Sequence, residues 1–257
     1  MMYVDKYEKI EKIVIDVCNS IEGIVPKYIV TKETRGDYVT EWDIFIQREL
    51  VNKLKEIFPE AVFICEEGIN KRCSKKGLIF VIDPIDGTQN FVNNLKFCST
   101  SIALIKDGEP VYAIIYNPYL NEMYTAIKEK GAYINHCKIN KNNHVLKNSV
   151  TLFDISNEHY KEAISWELAK KLEKISVGTR KCACASLGLS YVAGGRCAMY
   201  FNMKLHPWDY AAGCLIIKEA GGVVKDYKGN EIVDYFAIQS VFAFTNQECY
   251  IEWRKNV

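Results

Sequence analysis

Five apolar residues in a row, Leu78-Ile79-Phe80-Val81-Ile82, run directly into Asp83-Pro84-Ile85-Asp86-Gly87-Thr88. A strand cannot carry that pattern further, so the chain turns at the proline and glycine. The strand delivers Asp83 and Asp86 to its C-terminal end, where α/β folds place their ligands. With Glu66 and Glu67 upstream, four acidic residues gather near one turn. They repel one another unless something cationic sits between them. Hard divalent ions favour carboxylate and carbonyl oxygen, which points to magnesium rather than zinc. The competing reading is a solvated acidic turn. An EF-hand fails on spacing, because a required glycine at Gly87 puts Ile82 at the first ligand position.

Other motifs stand in order along the chain. Asp37-Tyr-Val-Thr-Glu-Trp-Asp43 lies upstream, and Pro207-Trp-Asp-Tyr-Ala-Ala-Gly213 and Glu219-Ala-Gly-Gly-Val223 lie downstream. With Glu66-Glu67 and Asp83 to Thr88, this set resembles the signature of the inositol monophosphatase family of magnesium-dependent, lithium-sensitive phosphatases. The resemblance covers nearly the whole chain.

That resemblance implies a mixed α and β fold, the layered αβαβα sandwich of the sugar phosphatases. It implies one magnesium held by Glu66, Asp83 and the main-chain carbonyl of Ile85, and a second held by Asp83, Asp86 and Asp209. Two or three Mg2+ per site are expected, with Mn2+ able to substitute. Thr88, Asp43 and Glu66 are the implied catalytic residues: Thr88 orients the attacking water and Asp43 accepts its hydrogen bond. Gly87 and Thr88 open the segment after the turn, where backbone N–H groups suit a phosphate and glycine permits close approach. Ala183, Cys184 and Asn202 join Asp86, Gly87, Thr88 and Asp209 in lining the substrate. Lys32, Glu67 and Arg180 are flanking candidates. On residue type alone, Asp43 reads as a solvated helix residue, Asp209 as a helix-cap acid, and Lys32 as a surface lysine.

The chain also departs from the family pattern. Arg180-Lys-Cys-Ala-Cys-Ala-Ser186 stands where R-x-x-G-S-A-A is usual, so the glycine and the first serine are missing. Asn202 stands where animal members place an inositol-binding glutamate, seven residues before the metal aspartate (209 − 202 = 7), and Ala198 where an aspartate is frequent. The expected function is a magnesium-dependent phosphate-monoester hydrolase acting on inositol or sugar phosphates. The alternatives are a fructose-1,6-bisphosphatase or a 3′-phosphoadenosine 5′-phosphate phosphatase, or a non-catalytic regulator on the same scaffold. A bisphosphate reader needs extra basic residues, and Lys32, Arg180, Arg196 and Lys204 are the candidates.

At 257 residues, 49% hydrophobic and 25% charged, the chain can bury a substantial core. A net charge of +1 gives no electrostatic case for nucleic acid or an anionic membrane. No run of 18 apolar residues exists, and residues 1–13 lack a signal peptide's apolar core, so a cytoplasmic protein is expected. The ten cysteines form no CxxC pair and sit mostly in apolar runs, as free thiols in a reducing compartment do. The partners expected are a small phosphate ester and a second copy of the chain in a homodimer.

Periodicity predicts a helix over 3–25 and another from an N-cap at Thr40 to Ile57, with Ile44, Phe45, Leu50, Leu54 and Ile57 on its buried side. A strand over 61–65 and a meander over 99–134 follow. The polar stretch 138–148 then divides an N-terminal lobe, 1–147, from a C-terminal α/β lobe, 148–257. In that second lobe strands are expected at 150–153, 174–177, 198–201, near Val223, and at 241–244, with helices over 158–172, 186–192 and 208–219.

Overall fold

The computed structural model describes residues 4–21, 24, 26, 29–31, 38–68, 75–155 and 159–256. Lys32, Asp37 and Cys73 lie outside these described residues. Helix α1 (Val4–Cys18) tightens into a 3-10 turn over Asn19–Ile21. That is shorter than its periodicity suggests, because the Ser20 hydroxyl donates to the Val17 carbonyl at 2.6 Å and competes with the helical ladder. Strands β1 (Ile29–Thr31) and β2 (Tyr38–Thr40) pair antiparallel and lead into α2 (Glu41–Ile57). Next come β3 (Val62–Cys65), β4 (Leu78–Asp86) and the short helix α3 (Thr88–Val92). A meander follows: β5 (Ser99–Lys106), β6 (Glu109–Asn117), β7 (Glu122–Ile127), β8 (Gly131–Ile134) and β9 (Cys137–Lys138).

The second half alternates strand and helix. It runs through β10 (Val150–Phe153), α4 (His159–Ile175), β11 (Gly178–Lys181), α5 (Ala185–Ala193), β12 (Met199–Leu205) and α6 (Pro207–Glu219). It closes with β13 (Val223–Lys225), β14 (Gln239–Phe244) and α7 (Gln247–Asn256).

Strands β3 to β9 form a seven-stranded sheet in chain order, parallel only between β3 and β4. The second sheet has five strands in the order β11-β10-β12-β14-β13, with β10 parallel to both its neighbours. Both faces of each sheet are covered, which is why β4 is a continuous apolar run rather than an alternating one. Phe80 and Ile82 pack with Ile10, Val14, Leu50 and Leu54 of α1 and α2. Ile79 and Val81 face the other way, onto Leu187, Leu189, Tyr210 and Ile216 of α5 and α6. The same pattern repeats across β12: Tyr200 joins that central layer, while Met199 and Phe201 pack with Leu168 of α4 and Trp253 of α7. Alternation of side chains along two strands therefore builds five layers, helices–sheet–helices–sheet–helices. This is the expected α+β sandwich. Each large apolar side chain fully buried in it contributes about 1.5–3 kcal/mol.

Three local expectations are corrected. In α2 the buried stripe is Ile46, Leu50, Val51 and Leu54, whereas Ile44 is exposed. The helix is turned so that Asp43 and Gln47 point inward, toward the turn after β4. The strand expected at 174–177 is instead the end of α4 and a bend, and β11 begins at Gly178. Its sequence, Gly-Thr-Arg-Lys, has no apolar pattern; it is an edge strand held by its register with β10. The terminal helix α7 has no counterpart among the expected elements. Its signal is Asn246, whose Oδ1 accepts the Cys249 N–H at 2.8 Å as an N-cap does.

Among the described residues no helix is long and apolar enough to cross a membrane. All nine described cysteines are free, and Cys137 is the exposed one.

Candidate active site

The segment after β4 cannot be straight. Proline and the bulge between Asp83 and Asp86 break the register with β5, and Gly87 then takes a left-handed conformation with φ 86°. A side chain there would place Cβ 3.0 Å from both Cys184 Cβ and the Phe97 carbonyl, so only glycine lets the two halves of the chain close. Asn90, from α3, fastens that closure. Its Nδ2 donates to the carbonyls of Phe97 at 2.7 Å and Cys182 at 2.8 Å.

A cleft of about 280 Å3 opens at this junction. Glu66, Asp86, Gly87, Thr88 and Asp209 line one part of it; Asp154, Lys181, Ala183, Cys184, Asn202 and Lys204 line the rest. The N-terminal strands and the C-terminal helices α5 and α6 thus contribute to one site.

Thr88 and Asp43 meet at its edge. The Thr88 hydroxyl lies 3.0 Å from the Ile85 carbonyl and 3.3 Å from Asp43 Oδ1, able to donate to either. Asp43 is fully buried, and its Oδ2 accepts the Thr40 N–H at 2.8 Å and the Thr40 hydroxyl. The capping box of α2 therefore orients a site residue. Burial pushes the Asp43 carboxyl up to about 7, with Glu66 and Glu67 adding to the rise and the Thr40 hydrogen bonds opposing it. Gln47, one turn on, grips the Glu66–Glu67 segment: its Oε1 accepts the Glu67 N–H at 2.9 Å and its Nε2 donates to the Glu67 carbonyl.

Asp83 is buried, and its Oδ1 has no hydrogen-bond partner among the described residues. Burial pushes its carboxyl well above the usual range, and the neighbouring Glu66, Asp86 and Asp209 charges push it further. A buried carboxylate oxygen left bare among three other carboxylates is costly. That cost, and an all-oxygen donor set, fit a hard divalent cation. Yet among the described residues no three such side chains stand converged as a finished cage. Two of them are engaged by protein donors instead. Asp86 Oδ2 accepts the N–H and hydroxyl of Ser186, and Asp209 Oδ2 accepts the His206 N–H at 2.7 Å, closing the first turn of α6.

Asn202 has its oxygen occupied, accepting the Lys204 N–H at 2.9 Å. Arg180 is exposed, bonds the Thr179 carbonyl at 2.9 Å, and does not line the cleft. Arg196 forms a bidentate pair with Glu122. Glu67 is half-buried and does not line the cleft. Among the residues that the sequence-based set lacks are Lys181 and Asp154, which line the cleft, and Ser186, which holds Asp86. Asp154 follows β10 and accepts the Ala183 N–H and the Tyr200 hydroxyl, so a lone acidic residue after an apolar strand was its only signal.

The five-layer fold thus encloses an acidic cleft between its two sheets. The chain belongs to the inositol monophosphatase family, whose model matches residues 6–256. It is 34% identical over 203 residues to the inositol-1-monophosphatase of Bacillus subtilis, covering 78% of this chain and 77% of that protein. The fructose-1,6-bisphosphatase/inositol-1-monophosphatase of Thermotoga maritima is 35% identical over 210 residues, covering 82% and 78%. The Nus factor SuhB of Xylella fastidiosa is 34% identical over 206 residues, covering 78% and 73%. The solved Thermotoga maritima IMPase superposes with a TM-score of 0.88 at 29% identity, covering 98% of this chain and 96% of that one.

Proposed function

We propose that this chain is a magnesium-dependent phosphate-monoester hydrolase that uses water directly on an inositol or sugar phosphate. The observation that carries the reading is Asp83 Oδ1, a buried, unpartnered oxygen beside Glu66, Asp86 and Asp209. Glu66, Asp83, Asp86, Asp209 and the Ile85 carbonyl are the groups that would hold Mg2+. When bound, the cations neutralise the phosphate oxygens and lower the pKa of a water.

The chain's own groups do the rest. Gly87 and Thr88, which line the cleft, offer their backbone N–H groups to the phosphate. The Thr88 oxygen accepts a hydrogen bond from the attacking water while its own hydrogen points to Asp43 Oδ1. Asp43, buried and oriented by Thr40, is placed to take up a proton through Thr88. The water oxygen bonds to phosphorus as the ester P–O bond breaks. One water proton passes through Thr88 to Asp43, and the other stays on the inorganic phosphate. The leaving alkoxide takes a proton from solvent, while Asp43 returns its own to solvent.

A non-catalytic regulator, the other class suggested by the relative named Nus factor SuhB, has no need of the bare Asp83 oxygen or of the Thr88–Asp43 pair. The test is phosphate release from a panel of inositol, sugar and nucleotide phosphates, with magnesium and with excess chelator. Magnesium-dependent release supports the reading; release undiminished by chelator, or none from any ester, defeats it. Light scattering on the purified protein tests the homodimer we also propose.

A further inference from the structure

The carboxylate of Asp86 is not free to turn. Its Oδ2 takes the Ser186 N–H at 2.5 Å, the Ser186 hydroxyl at 2.5 Å and the Cys184 thiol at 3.4 Å. Among the described residues none donates to its Oδ1. Asp86 is half-buried and lines the cleft, so Oδ1 is the oxygen that remains for a ligand there.

The hold on Oδ2 is itself braced from behind. Ser99 and Asp86 are partners in the register of β5 with β4, and Ser99 and Ser186 are both buried. Their hydroxyl oxygens stand 2.7 Å apart. An ionised carboxylate only accepts, so the Ser186 hydrogen points at Asp86 and the Ser99 hydroxyl donates to Ser186. The chain of hydroxyls therefore runs from β5 through the first turn of α5 back to the end of β4. Each hydroxyl direction is fixed by its neighbour, and burial strengthens both bonds.

Magnesium and calcium ask different things of a carboxylate. Magnesium is small and demands near-ideal octahedral geometry, which the narrow bite of a two-oxygen carboxylate distorts. Calcium takes about six to eight oxygens in flexible geometry and accepts both oxygens of one carboxylate. We infer that Ser186, braced by Ser99, holds Asp86 as a one-oxygen ligand and so selects magnesium against calcium at the Asp86–Asp209 end of the cleft. Ser186 is a positioning residue, because it touches Asp86 and not the ion. The inference rests on the cation site proposed above and adds which ion that site discriminates against. Occupying Oδ2 denies the wrong ion a ligand instead of adding one for the right ion, a repulsive route to specificity.

The test is calorimetric titration of chelator-stripped protein with Mg2+ and with Ca2+, which needs no turnover. Ser186→Ala removes one donor and frees a lone pair on Oδ2. The ratio of magnesium to calcium affinity should fall about tenfold, the effect of one charge-assisted hydrogen bond. Ser99→Ala leaves the donors to Asp86 in place but loosens the Ser186 hydroxyl, so a fall of about threefold is expected. Ser190→Ala is the control. That serine is buried one turn along α5 and its hydroxyl has no partner among the described residues, so the ratio should not move. An unchanged ratio in Ser186→Ala, or in Ser99→Ala should the first variant not fold, overturns the inference. An equal fall in Ser190→Ala also overturns it, because general loosening of α5 then explains the effect. A protein that binds neither ion removes the cation site and this inference together. The expected shift in a protein that hydrolyses no ester upholds the role of Ser186 and defeats only the hydrolase reading.

Discussion

The Thr88 hydroxyl stands 3.3 Å from Asp43 Oδ1, joining the first residue of α3 to a buried acid on α2. Asp43 is in turn fixed by Thr40, the residue that caps its own helix. A helix-start motif and a catalytic orientation are thus the same set of hydrogen bonds. Thr88→Ala removes the hydroxyl but none of the carboxylates. Turnover should fall about 10²–10⁴-fold with magnesium affinity nearly unchanged, whereas Thr88→Ser keeps most activity. Steady-state kinetics with a magnesium titration decide this; an alanine variant within a few-fold of wild type removes Thr88 from the mechanism.

Crowded buried carboxylates should make the chelated protein less stable as pH rises. Asp43 is raised to about 7 and Asp83 is raised well above 3.8. A carboxyl raised in the folded state contributes stability that is fully present below its unfolded value, about 3.9. That contribution is lost as pH climbs through the folded value. For Asp43 the window is therefore about pH 4 to 7. Melting temperature in excess EDTA should decline across it, and Asp83→Asn should flatten the slope and raise the melting point at pH 8. A profile that rises with pH contradicts this.

Ala183 has φ 53°, a left-handed conformation that costs a residue with a Cβ about 1 kcal/mol or more. Asp154 and Asn90 hold its N–H and carbonyl and keep it there. Ala183→Gly should stabilise the fold by up to about 1 kcal/mol, or about 2–4 °C in melting temperature. Gly87→Ala is the converse. Its Cβ has no room, so we expect a loss of about 1–3 kcal/mol and at least a tenfold drop in activity. Thermal melts of both variants check the pair.

Much of this was legible because it is local. The run into Asp83-Pro-Ile-Asp-Gly forces a turn whatever surrounds it, and Thr40 followed by Asp43 announces a helix start. The inward turn of α2 was not legible, since Ile44 and Ile46 are equally apolar and only tertiary packing chooses between them. Strand β11 exists through its pairing with β10, so Lys181 could not be placed in the cleft before that register was known. Nor does the sequence tell that Asn202 spends its oxygen on the Lys204 N–H.

The central claim is that the two halves of the chain build one cation site. Asp86 ends β4 and Asp209 sits in the first turn of α6, 123 residues later (209 − 86 = 123), yet both line the same cleft. Asp209→Asn keeps an oxygen for the His206 N–H and removes the charge, so the fold should survive. Calorimetric titration of the variant with magnesium or manganese is the most direct measurement. The account predicts that the weaker site is lost or its affinity falls about tenfold or more while the tighter site still fills, because a hard cation prefers carboxylate to amide oxygen. The same number of ions bound at unchanged affinities would make Asp209 a helix cap only, and would contradict a site shared between the two halves.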